Sequence, residues 1–155
     1  MSTLFRIMLA GLILLLPLAS IAAWEDYKEK SLQATIDEYI DSSASADLAF
    51  TPGLPQLVLA TYTGEKRSIP EDRENMVRAW LEMIGQPKET GGLFLTEMKF
   101  LEDGKDHWLP IQKPLITFIE KEVSPGENVW LYAVWIGATK SEWVFVVNEF
   151  NISIP

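Results

Sequence analysis

A single histidine, His107, and 22 acidic side chains hold whatever acid–base chemistry this chain could perform. A Ser-His-Asp triad would have to recruit His107, yet no G-x-S-x-G elbow accompanies it. One histidine cannot build a histidine-rich metal site either. The chain has no cysteine, which removes thiolate chemistry, disulfides and cysteine-ligated zinc or iron–sulfur centres. His107 adjoins Trp108 in a stretch that alternates like a strand. It therefore reads as a strand histidine near a solvent edge, with a lone general base as the other reading.

The carboxylates group as Glu25/Asp26, Glu71/Asp72, Glu102/Asp103 and Asp106. Glycoside hydrolysis needs two carboxylates across a cleft, one with a raised pKa. Among so many acids, close pairs arise without that role. Glu71/Asp72 suits the positive end of a helix, and Glu102/Asp103 suits a hairpin turn. A calcium loop wants oxygen ligands alternating through about twelve residues with a closing Glu; Glu102–Asp106 is too short and is broken by Lys105. Gly91-Gly92 precedes a strand and lacks a Lys-Ser/Thr partner, so it is a turn rather than a phosphate cradle. Lys140-Ser141 are neighbours on a turn, where side chains diverge. Asn151-Ile152-Ser153 is a glycosylation sequon, relevant only on a eukaryotic secretory route. The motifs nominate no catalytic residue, no metal ligand and no cofactor.

The aromatics carry more. Trp108, Trp130, Tyr132, Trp135 and Trp143 all fall in expected strands. If Val129 and Leu131 share a face with Trp135, then Trp130 and Tyr132 take the other. Such rings either pack as core and cross-strand pairs or present a face to a protein, peptide or glycan. Trp108, Trp130, Tyr132 and Trp143 are the candidate binding residues.

Periodicity supplies the elements that would hold them. Trp24–Asp41 has a helical stripe in Leu32, Ile36, Tyr39 and Ile40, followed by the small-residue linker Ser42–Asp47. Thr51-Pro52-Gly53-Leu54-Pro55 reads as a stiff turn and Gln56–Tyr62 as a short strand ending near Gly64. Ser68-Ile69-Pro70-Glu71 fits a capping box, opening a helix with Met76, Val77, Trp80, Leu81 and Ile84 on one face. Glu74, Arg78 and Glu82 are spaced for ion pairs on the other, and Gly85 marks the end. Trp80 is its expected anchor. Leu93–Leu101 and Lys105–Ile111 flank Asp103-Gly104, a type I′ hairpin turn. Pro114–Val123 fits a short helix or a strand. Ser124-Pro125-Gly126-Glu127 is a type II turn leading into Val129–Ile136, apolar on both alternating faces as in a doubly covered strand. Gly137–Lys140 turns the chain into Trp143–Val147, and Asn148 onward trails along an edge.

This order implies an α+β fold: N-terminal helices followed by a curved antiparallel sheet or a small five-stranded OB-like barrel. The organisation is residues 1–23 as a signal peptide, 24–47 as an N-terminal helix and linker, and 48–155 as one domain. The leader has one cation, Arg6, an apolar run from Ile7 to Leu18 and a small-residue ending that fits cleavage after Ala22. Retention as an anchor is the alternative, since Ile7–Ala23 lies at the short end of the roughly 17–25 residues that cross a bilayer.

A leader of this kind implies a periplasmic or secreted protein. The net charge of −9 opposes nucleic acid and anionic lipid and favours a basic partner. The expectation is a non-catalytic exported domain binding an envelope protein or small ligand through an aromatic sheet face, without membrane contact after cleavage. The alternatives are a small hydrolase using a carboxylate pair or His107, and the periplasmic domain of a membrane-tethered protein.

Overall fold

The computed structural model describes residues 23–43, 48–139 and 142–155. The expected leader and the middle of the expected linker lie outside the described residues. Among the described residues the fold is α+β, with a six-stranded sheet and three α-helices. In chain order these are β1 (Lys28–Glu29), α1 (Leu32–Ser43), β2 (Leu48–Ser68), α2 (Glu71–Met83), β3 (Thr96–Glu102), β4 (Lys105–Ile111), α3 (Lys113–Glu122), β5 (Asn128–Thr139) and β6 (Trp143–Asn151). Two 3-10 turns, Trp24–Asp26 and Lys88–Leu93, precede β1 and β3.

Hydrogen bonds run in a cycle from β2 to β3, β4, β6, β5 and back to β2. All pairings in it are antiparallel except β4 with β6, which is a single parallel pair, Ile111 with Val147. β1 adds a short parallel rung beside Gln56 and Leu57 of β2.

β5 is apolar on both sides because both sides are covered. Val129, Leu131, Ala133 and Trp135 point into one core with Val58, Phe100, Ile111, Leu115 and Ile119, which α1 and α3 close. Val134 and Ile136 point the other way, into a second core with Val144, Val146 and the α2 residues Met76, Val77, Trp80 and Leu81. The amphipathic stripe read in α2 is thus the face that covers half of β5 and β6. Trp80 is fully buried and donates from Nε1 to the Thr51 carbonyl at 2.9 Å.

Several local expectations hold. Asp103 and Gly104 adopt φ of 49° and 75°, as a type I′ turn requires, and Gly126 has φ of 92°. Pro114 sits in the first turn of α3, so the ambiguous segment is a helix.

Others are corrected. Trp24–Asp41 is not one helix: α1 starts at Leu32, where Ser31 Oγ accepts from the Ala34 amide at 3.0 Å. The Glu102 carboxylate accepts from the Leu32 and Gln33 amides at 2.9 and 3.1 Å, which places a full negative charge at the positive helix end. Ser68 makes no capping box; it pairs with Thr96 in β2, and Pro70 takes the cap position without a side-chain bond. The Thr51–Pro55 turn is a bulge inside β2, where the register with β5 shifts between Phe50 and Leu54. β2 also continues past Gly64 to Ser68. Gly137 lies within β5, so close to the Ala49 carbonyl that a Cβ would strike it. Beyond Asn148, Glu149–Asn151 stay paired with β5, Asn151 opposite Trp130, instead of trailing away.

Candidate functional site

The four candidate aromatics do not form one face. Trp143 points into the core under α1, stacked on Trp135 at 5.0 Å, with Tyr39 against the other indole at 4.9 Å. Trp108, Trp130 and Tyr132 all stand on the α2 side, but on different strands of the cycle.

Trp108 lies beside a buried charge network. The Arg67 guanidinium covers its ring at 4.2 Å, and Lys99 lies 5.7 Å from the centroid. Arg67 pairs with Glu97 across β2 and β3 at 2.8 Å. Glu97 is completely buried and also binds Arg73 Nε, from α2. Arg73 Nη2 donates to the Trp108 carbonyl at 2.8 Å, and Nη1 lies 3.6 Å from Glu142. Arg73 thereby joins β3, β4 and the residue just before β6, and the β4–β6 ladder itself is one residue pair long. The Trp108 face is already occupied by the chain's own cations.

Trp130 and Tyr132 are two residues apart on β5 and so share a face. Opposite them in β2 are Leu59, 45 % exposed, and Leu57. Opposite them in β6 are Asn151 and Glu149. The segment before β1 adds two rings. Trp24 meets Tyr132 edge-on at 5.1 Å, and Tyr27 does so at 5.2 Å. Tyr27 is held by Asn148, whose Nδ2 donates to its hydroxyl at 3.1 Å. Asn148 Oδ1 in turn accepts from Gln112 Nε2 at 3.3 Å. Burial raises the pKa of both tyrosines, Tyr132 also feeling the Glu149 carboxylate.

Glu149 was singled out by no motif. It is 7 % exposed; Oε1 accepts from the Phe150 amide at 2.9 Å, and Oε2 has no partner. Burial, then Glu122 of α3, pushes its pKa up to about 7, against the opposing pull of the Phe150 amide. The raised value means that the folded chain holds this proton more tightly than the unfolded one. Its contribution to stability is complete below about pH 4.5 and is lost as pH rises through about 7. Glu149→Gln should therefore leave stability unchanged near pH 4 and raise it by up to about 3 kcal/mol at pH 8. Denaturant titrations of both proteins at the two pH values measure this; equal stability at pH 8 would contradict it.

His107 lies opposite Phe100 and shares its core-facing side. Its Nε2 is buried without a hydrogen-bond partner, and burial lowers its pKa despite the nearby Glu102. Both Glu102 oxygens are engaged by α1 amides, so this carboxylate serves a helix end rather than the turn alone. Among the described residues, no three His, Cys, Asp or Glu side chains are grouped to hold a metal ion, and no helix is long and apolar enough to cross a membrane.

No family model matches the chain, and a search of curated proteins finds no match.

Proposed function

We propose that this chain is an exported, non-catalytic domain that binds another envelope protein or a small ligand through the face formed by Trp130 and Tyr132. The leader pattern supports the periplasmic or secreted address. An OB-like five-stranded barrel is the reading of the fold that we favour, supported by the β2–β3–β4–β6–β5–β2 cycle, its parallel β4–β6 contact and the helix between β4 and β5.

The observation that carries the function is the strip of Leu59, Trp130, Tyr132 and Trp24. Its outer members, Leu59 and Trp24, are 45 % and 46 % exposed, and it lies beside the second core that α2 seals. An apolar strip rimmed by charge is the ordinary form of a protein-binding patch. Trp143 leaves the candidate set, because its ring packs inward on Trp135. Against the His107 form of the hydrolase alternative stands the burial of its Nε2.

The test is capture from envelope extract with wild-type, Trp130→Ala and Leu59→Ser proteins, each checked for folding. Loss of a partner in both variants, about tenfold or more for a central aromatic anchor, is the expected result. Identical capture by all three would overturn the reading.

A further inference from the structure

Among the described residues three carboxylates are buried, and the fold completes two of them. Glu97 is bound by the Arg67 and Arg73 guanidiniums, and Glu102 by two amides at the start of α1. Glu149 receives only the amide of the next residue, on one oxygen. Among the described residues no Lys or Arg forms an ion pair with Glu149 or with Glu122, which raises its pKa. A buried carboxylate without a cation is costly when ionised. Here it stands directly across β5–β6 from Tyr132, against which Trp24 and Tyr27 are set edge-on. Aromatic faces and a carboxylate together attract one chemical class, an organic cation.

We infer that the aromatic face takes an Arg or Lys side chain of a basic partner protein, with Glu149 as its charge partner and the rings of Trp24, Tyr27 and Tyr132 as its walls. This rests on the binding role of the face proposed above and specifies the chemistry of the partner. The net charge of −9 complements a basic partner and steers it at long range. Trp24, 46 % exposed and edge-on to Tyr132, is the outermost ring of this face.

Binding is then linked to the proton on Glu149. The groups facing it are Glu122 from α3, Tyr132 from β5, the Phe150 amide on its own strand and, through Asn148, Tyr27 from the N-terminal segment. Among these groups only Glu149 itself has its pKa carried up to about 7. Below about pH 7 Glu149 is neutral and offers the cation little. Above it the carboxylate is already charged and pairs with an incoming guanidinium, whereas near and below pH 7 the same pairing releases the Glu149 proton to solvent.

The probes are a hexapeptide containing arginine and its twin with neutral citrulline at the same positions, titrated at low salt while tryptophan fluorescence is followed. The arginine peptide should bind at pH 8 at least about tenfold more tightly than at pH 5.5, as an opposite charge within reach lowers a carboxylate pKa by about one unit or more. It should outbind its twin by a similar factor. Glu149→Gln should abolish both differences, and Glu122→Gln, at a half-buried helix end, should weaken the arginine peptide while leaving the fold intact. Equal binding of the twins, an unchanged pH profile in Glu149→Gln, or no saturable binding of either peptide would overturn the inference. If the twins bind alike yet both are lost in Trp130→Ala, the face stands and the cation is wrong. If Trp130→Ala retains the captured partner, the face itself is wrong.

Discussion

Glu97→Ala should lower the free energy of unfolding by about 3–5 kcal/mol, the cost of stripping one partner from a buried ion pair. Arg73 is the reason. Its side chain is 7 % exposed and cannot turn to water as Arg67 can, at 41 %. Without Glu97 its charge stays buried, opposed only by Glu142 at 3.6 Å. Arg67→Ala should cost about 1 kcal/mol or less, as partly exposed pairs do. Replacing Arg73 and Glu97 together by Met and Leu should recover much of the loss, because no lone charge then remains. The Trp108 carbonyl would still lack its donor, so recovery stays incomplete. Denaturant midpoints of the three proteins measure the order; a Glu97→Ala loss below that of Arg67→Ala would sink the account.

That network also marks where the sequence stops being readable. Arg73 is a polar residue on an amphipathic helix and Glu97 an acid in an alternating strand; neither has a local sign of pairing. Their meeting depends on α2 lying across β3 and β4, a placement that no window of either segment encodes. The same holds for Glu102, which reads locally as part of a hairpin turn but caps a helix 69 and 70 residues earlier in the chain.

Elements specified within one turn or one hairpin were legible. Asp103-Gly104, Pro125-Gly126 and the apolar stripe of α2 each contain their own geometry. Ser68 shows the opposite case. Its spacing to Glu71 suits a capping box, but pairing with Thr96 draws it into β2 and leaves Pro70 at the cap. The alternation in β5 correctly assigned Trp130 and Tyr132 to one face. It could not say that Trp143 turns inward, or that Glu149 arrives opposite Tyr132. The latter depends on a register shift in β5–β6 between Tyr132 and Ala133, where β6 spends an extra residue, Asn148.

Trp80→Ala should cost about 3–5 kcal/mol, the range for deleting a fully buried aromatic ring. Two effects add. The cavity opens beneath Val134, Ile136, Val144 and Val146, the α2-facing residues of β5 and β6, and the Thr51 carbonyl loses its indole donor. Trp80→Phe separates them: it keeps most of the volume but not the N–H, and should cost about 1–3 kcal/mol for the unpaired acceptor. Trp130→Ala should move the midpoint by about 1 kcal/mol or less, because its half-buried ring is no part of either core. Unfolding curves for the three variants report on the two halves of one sheet face. The half under α2 holds the fold together, and the half carrying Trp130 and Tyr132 is the one proposed to meet a partner. A Trp130→Ala loss as large as that of Trp80→Ala would place both rings in the core and remove the binding face.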